Sequence, residues 1–106
     1  MREFSKWAGQ QIEKVCARND QARPGKESKP PWEKQPPGVI YGKVAEESME
    51  MVEAYYRWLN CPTKENAQLL QWELADLATA AMMLSSLFDP VVSELHRGEV
   101  DHEVVG

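Results

Sequence analysis

From Leu69 to Phe88 the only charged side chains are Glu73 and Asp76, and no Lys or Arg occurs between Glu65 and His96. At 100° per residue the two acids share a helical face with Leu69, Ala80, Met83, Leu84 and Leu87. The opposite face carries Leu70, Leu74, Ala78 and Ala81. A segment that is apolar nearly all round is expected as a buried helix. Two ionised carboxylates on it, without a base in this stretch, would each cost several kcal/mol if left unpaired. They need a cation or a proton.

Apolar spacing predicts the remaining elements. Phe4, Trp7, Ala8, Gln11, Ile12 and Val15 recur at three- and four-residue steps, which predicts a first helix over residues 3 to about 18. Residues 19 to 38 break every period. Pro24, Pro30, Pro31, Pro36 and Pro37 fall there, removing backbone donors and favouring extended neighbours. A loop of about twenty residues is therefore expected, long enough to act as a lid or arm. A second helix is expected from about Val39 to Leu59. The third runs from about Thr63, which follows Pro62 as an N-cap, to Phe88. Asp89-Pro90 reads as a cap and first-turn proline opening a short fourth helix through Arg97, closed by Gly98. No segment alternates with period two. The expected architecture is all-α, a bundle of about four helices with a Pro-rich loop between the first two, in one domain spanning 1–106.

The second helix supplies more acid. Val44, Met51, Val52, Tyr55 and Leu59, with Trp58 at the edge, form its expected apolar arc. Lys43, Glu46, Glu47, Glu50, Glu53, Ala54 and Arg57 occupy the rest. Glu46, Glu47 and Glu50 crowd within one turn, where like charges repel by a few tenths of a kcal/mol per pair. Taken alone, this is a solvated acidic face. A short turn, however, makes helices two and three antiparallel neighbours about 8–10 Å apart. Two arrangements are then open. Lys43 or Arg57 bridges to Glu73 and Asp76, or the five acids Glu46, Glu47, Glu50, Glu73 and Asp76 share a hard divalent cation such as Mg²⁺, which prefers oxygen ligands. Clustered buried acids favour the second.

Glu46-Glu47-Ser48-Met49-Glu50 followed by Glu73-Leu74-Ala75-Asp76 fits EExxE, a gap of some twenty residues, then ExxD, each half on a helix. This resembles the MazG-like all-α nucleoside triphosphate pyrophosphohydrolases, a superfamily that includes dimeric dUTPase-like and dCTP pyrophosphatase enzymes. The likeness covers approximately Val39 to Arg97, with a leading helix and loop of the expected sort. It implies that Glu47, Glu50, Glu73 and Asp76 bind Mg²⁺, with Mn²⁺ as a substitute, and that Glu46 is a neighbouring acid. It also implies attack of water on the α-phosphorus of a nucleoside triphosphate, releasing the monophosphate and diphosphate. A carboxylate not committed to metal could take the water's proton, and Glu46 and Glu50 are the candidates. Many members carry a downstream Lys, often with Asn and Arg, that contacts phosphates. Here Val92-Ser93-Glu94-Leu95-His96-Arg97 offers only His96 and Arg97, with Lys43 as an additional candidate. Trp7, Trp32 and Tyr41 are the candidates for stacking on the base, although ordinary core packing accounts equally well for Trp7 and Tyr41. Apolar arcs on more than one side of helices two and three point to a homodimer or homotetramer.

The charge balance agrees with a nucleotide and not with a nucleic acid. Twelve Lys and Arg against 17 Asp and Glu give a net charge of −5, the reverse of a basic nucleic-acid-binding surface. Without metal such a surface repels a triphosphate. Cys16 and Cys61 have no CxxC spacing and no accompanying histidines, so no zinc or disulfide framework is expected. No run approaches the roughly 18 apolar residues that cross a bilayer, and Met1-Arg2-Glu3-Phe4 does not open a signal peptide. A cytoplasmic location is expected. The competing reading is a non-enzymatic helical interaction module with a solvated acidic face. Glu99-Val100-Asp101-His102 has di-iron spacing but no second such motif.

Overall fold

The computed structural model describes residues 1–21 and 32–95. Among them are helices α1 (Glu3–Gln21), α2 (Pro37–Asn60), α3 (Lys64–Ser86) and α4 (Asp89–Leu95), a 3₁₀ turn at Trp32–Lys34, and no strand. The chain is all-α, as its periodicity predicts.

The helix ends differ from the sequence expectation in ways that capping explains. α1 continues three residues beyond Arg18, and α2 starts at Pro37 rather than Val39. Proline breaks a helix interior but suits its first turn, where the missing N–H has no intrahelical partner. Pro36 accepts the Val39 N–H at 3.0 Å, so the helix begins two residues earlier than the loop reading allows. The expected twenty-residue loop is correspondingly shorter, and its part between residues 22 and 31 lies outside the described residues.

Only the three residues Cys61 to Thr63 separate α2 from α3. Thr63 caps α3, its Oγ1 accepting the Asn66 N–H at 3.1 Å, and the Asn66 amide returns to the Cys61 carbonyl at 2.8 Å. Caps of this kind contribute about 1 kcal/mol. The turn folds α2 back along α3, and this pair is the main packed unit. α1 packs on α3 more lightly. Burial rises along α1 from Phe4, which is 72% exposed, to Val15, which is 6% exposed. The contact with the bundle is thus made by its C-terminal half. After Ser86 the chain bends by 44° into α4. α4 begins at Asp89 itself, with the Phe88 carbonyl accepting the Val92 N–H. Pro90 still falls in the first turn.

Two expectations about faces are corrected. On α2 the side turned inward is Ile40, Val44, Glu47, Met51, Ala54 and Trp58, whereas Val52, Tyr55 and Leu59 stay exposed. Glu47 and Ala54, assigned from periodicity to the polar side, therefore belong to the covered one. The apolar arc of α2 is wider than one neighbouring helix can cover, and α3 covers one flank of it. Nor is α3 buried all round. Thr79 and Ala80 are buried, but Trp72, Leu74 and Met82 are each about half exposed. The Thr79 hydroxyl is satisfied by donating to the Ala75 carbonyl at 2.8 Å. Among the described residues the buried apolar side chains are Val15, Ile40, Ala54 and Ala80, a thin core for helices of this length.

Cys16 and Cys61 are both free thiols. No single described helix is long and apolar enough to cross a membrane; α3 and α4 together, bent at their junction, reach that length and composition only as a pair.

Candidate metal centre

The inward side of α2 meets the acidic side of α3 at Glu47. One carboxylate oxygen each from Glu47, Glu73 and Asp76 lie within 4.8 Å of one another. The three-residue step from Glu73 to Asp76 sets both on the face turned toward α2, and the antiparallel packing brings Glu47 to them. Oε2 of Glu47 and Oε2 of Glu73 are buried and have no hydrogen-bond donor.

Electrostatics registers this crowding. Burial raises the Glu47 pKa from 4.5 to about 7, helped by the charges of Glu50 and Asp76 and a hydrogen bond to Glu50, and opposed by Lys43. Glu73 is raised for the same reasons in the same order, burial first, then Glu50 and Asp76, with Arg18 opposing. Without a cation, this crowding favours the protonated forms of Glu47 and Glu73.

Two cations line the cleft. Arg18, in the last turn of α1, forms an ion pair with Asp76, with side chains 50% and 18% exposed respectively. Lys43 Nζ lies 3.8 Å from Glu47 Oε1, one turn away on the same helix. Neither expected bridge forms: Lys43 turns to its own helix, Arg57 is exposed, and Arg18 from the third direction pairs with Asp76. The one sequence signal for Arg18 was its register, since it continues the Gln11–Val15 stripe of α1 by three residues. The cleft between the three helices is lined by Val15, Arg18, Asn19, Lys43, Glu47, Asp76, Thr79 and Met83, and its volume is ≈ 40 Å³. That holds an ion and a few waters, whereas pockets for drug-sized ligands run to about 300–1,000 Å³.

The other sequence-derived candidates fall as follows. Glu50 sits beside the cluster on the exposed side of α2. Glu46 is exposed and does not line the cleft. Trp7, Trp32 and Tyr41 are likewise not among its lining residues; Trp7 and Tyr41 are exposed and Trp32 is half-buried. His96 and Arg97 lie outside the described residues.

The donor set fits a hard divalent cation. It consists of carboxylate oxygens on two helices, two of them buried without a donor. No family model, curated protein or solved structure matches this chain.

Proposed function

We propose that the chain is a Mg²⁺-dependent nucleoside triphosphate pyrophosphohydrolase of the MazG-like kind, converting a ribo- or deoxyribonucleoside triphosphate and water to the monophosphate and diphosphate. The observation that carries this reading is the convergence of Glu47, Glu73 and Asp76, with two oxygens that no protein donor satisfies. These are residues of the EExxE and ExxD pair. They would hold Mg²⁺, or Mn²⁺ in its place. When bound, such a cation neutralises phosphate charge, acidifies water and orients the diphosphate leaving group.

The chain's own groups then divide the remaining work. Glu50, next to Glu47 and Glu73 but open to solvent, would take the proton of the attacking water. Glu46 is turned away and is the weaker candidate. Lys43 stands at the cleft with a cation for the phosphates. Since the cleft admits an ion and not a nucleoside, the base must lie outside it. Trp7, Trp32 and Tyr41, or a second copy of the chain, would supply its stacking surface.

The uncovered sides of α2 and α3 support assembly as a homodimer or homotetramer, since Tyr56, Trp72 and Met82 are each more than half exposed. Sedimentation of the full chain should show a species larger than 12.1 kDa, and a strict monomer at micromolar concentration removes this part of the proposal.

The test of the activity is release of pyrophosphate from a panel of all common ribo- and deoxyribonucleoside triphosphates, with and without Mg²⁺. Turnover should require the metal and should be lost in Glu50→Gln and Asp76→Asn. Absence of turnover across the panel, or full turnover in both variants, defeats the reading. Release of orthophosphate would relocate the cleavage to another phosphorus.

One observation favours the rival reading of a helical interaction module: Arg18 already gives Asp76 a counter-charge without any metal. Thermal melting separates the two. A ligand that binds only the folded chain stabilises it, so Mg²⁺ in excess should raise the melting temperature of the enzyme and leave that of the module unchanged.

A further inference from the structure

The ion pair between Arg18 and Asp76 joins α1 to the carboxylate cluster. We propose, building on the metal reading above, that Arg18 is an exchangeable counter-cation. It pairs with Asp76 while the cluster holds no divalent ion, yields Asp76 when one binds, and its freed guanidinium then contacts the phosphate chain of the ligand.

Exposure is the first support. Asp76 is largely covered, with its side chain 18% exposed, whereas the Arg18 side chain is 50% exposed. The acid is built into the cleft and the base reaches it from the rim. Withdrawing Arg18 returns a guanidinium to water and strands no buried cation, so the exchange carries a small desolvation cost.

Charge is the second. When all four are ionised, Glu47, Glu50, Glu73 and Asp76 outnumber Arg18 and Lys43 by two charges, which one divalent ion balances. Arg18 does not complete the cluster, because Oε2 of Glu47 and of Glu73 still lack donors. A divalent ion held by Glu47, Glu73 and Asp76 would share Asp76 with the guanidinium, and a doubly and a singly charged cation at one carboxylate repel strongly. That repulsion favours release of Asp76 by the guanidinium, which reaches it from the rim.

Shape is the third. The ≈ 40 Å³ cleft accepts an ion with some of its water, which leaves polyphosphate at the mouth. Arg18 and Lys43 line that cleft. The planar fork of an arginine matches two phosphate oxygens at once, which the point charge of a lysine does not. α1 thereby supplies a phosphate contact from a helix in which the EExxE and ExxD motifs have no part.

Calorimetric titration of the full-length chain tests this without any turnover. With Mg²⁺ alone, Arg18→Gln should bind the ion about tenfold more tightly than the parent, and Arg18→Lys, which keeps the charge, should bind it like the parent. With pyrophosphate added to the Mg²⁺-loaded chain, both variants should bind about tenfold more weakly than the parent, because both lack the fork. Unchanged or weaker Mg²⁺ binding in a folded Arg18→Gln chain overturns the exchange. If Arg18→Gln does not fold, Arg18→Lys binding pyrophosphate as tightly as the parent overturns the phosphate contact. Failure of every nucleoside triphosphate to turn over would defeat the pyrophosphohydrolase reading, and these titrations would still decide the role of Arg18.

Discussion

Replacing Glu47 with Gln should cut Mg²⁺-dependent pyrophosphate release by about 100-fold or more while making the metal-free chain more stable. The two effects have one cause. Glu47 is the acid of α2 that the packing turns inward, beside Glu73 and Asp76, with a buried oxygen that has no donor. A glutamine there keeps the shape and removes the charge. It eliminates repulsion from Glu50 and Asp76, and its amide can donate to a neighbouring carboxylate. A gain of about 1 kcal/mol in the metal-free chain is expected, which in a domain of this size raises the melting temperature by about 4–8 °C. The same change removes a ligand from the proposed cation site. Melting curves with and without Mg²⁺, taken beside the pyrophosphate assay, read both effects. If Glu47→Gln lowers the stability of the metal-free chain, the cluster is held by interactions that the charge strengthens, and its assignment as a strained cation site fails.

The metal-free chain should also lose stability as pH rises from 5 to 8, opposite to the usual behaviour of a paired carboxylate. Glu47 has a pKa of about 7 in the folded chain against 4.5 for the ordinary group. Between those values the folded state binds more protons than the unfolded one, so stability falls with rising pH. The contribution is complete below about pH 4.5 and is lost as pH passes through 7. Glu73, raised in the same direction, adds to the fall. A shift of this size corresponds to about 3 kcal/mol for a sealed group, and to about 1–2 kcal/mol once solvent screening at the open cleft is counted. The melting temperature should therefore drop by about 5–10 °C over that range. Saturating Mg²⁺ should abolish the drop, because it neutralises the ionised form, and Glu47→Gln should largely flatten it. A melting temperature that is constant or rises from pH 5 to 8 without metal contradicts the raised carboxyl.

Much of this was legible in residue order, and the reasons differ from element to element. The helical pattern of α1, α2 and α3 follows from three- and four-residue apolar spacing, and the α3 start follows from Thr63, whose hydroxyl caps as expected. Glu73 and Asp76 share a face because three residues is nearly one helical turn, which no tertiary contact can alter. The α2 start departs from the expected Val39 because a proline carries opposite meanings in a helix interior and in its first turn. The inward side of α2 departs from its periodicity because Val52, Tyr55 and Leu59 offer as good an apolar flank as Ile40, Ala54 and Trp58. Arg18 is not singled out by local spacing, because its partner lies 58 residues away.

By itself the sequence determined that this chain is helical, that an apolar helix with no Lys or Arg beyond its first residue carries Glu73 and Asp76 on one face, and that the preceding helix crowds Glu46, Glu47 and Glu50 into about one turn. Local spacing is sufficient for each of these, since helical geometry relates residues within one or two turns. The tertiary structure decided which acid of α2 joins Glu73 and Asp76, and that Arg18 from α1 is the cation that meets them. Those outcomes depend on how three helices rotate about their axes when they pack. That rotation is set by the fit of whole faces, which a pattern within a single helix does not contain.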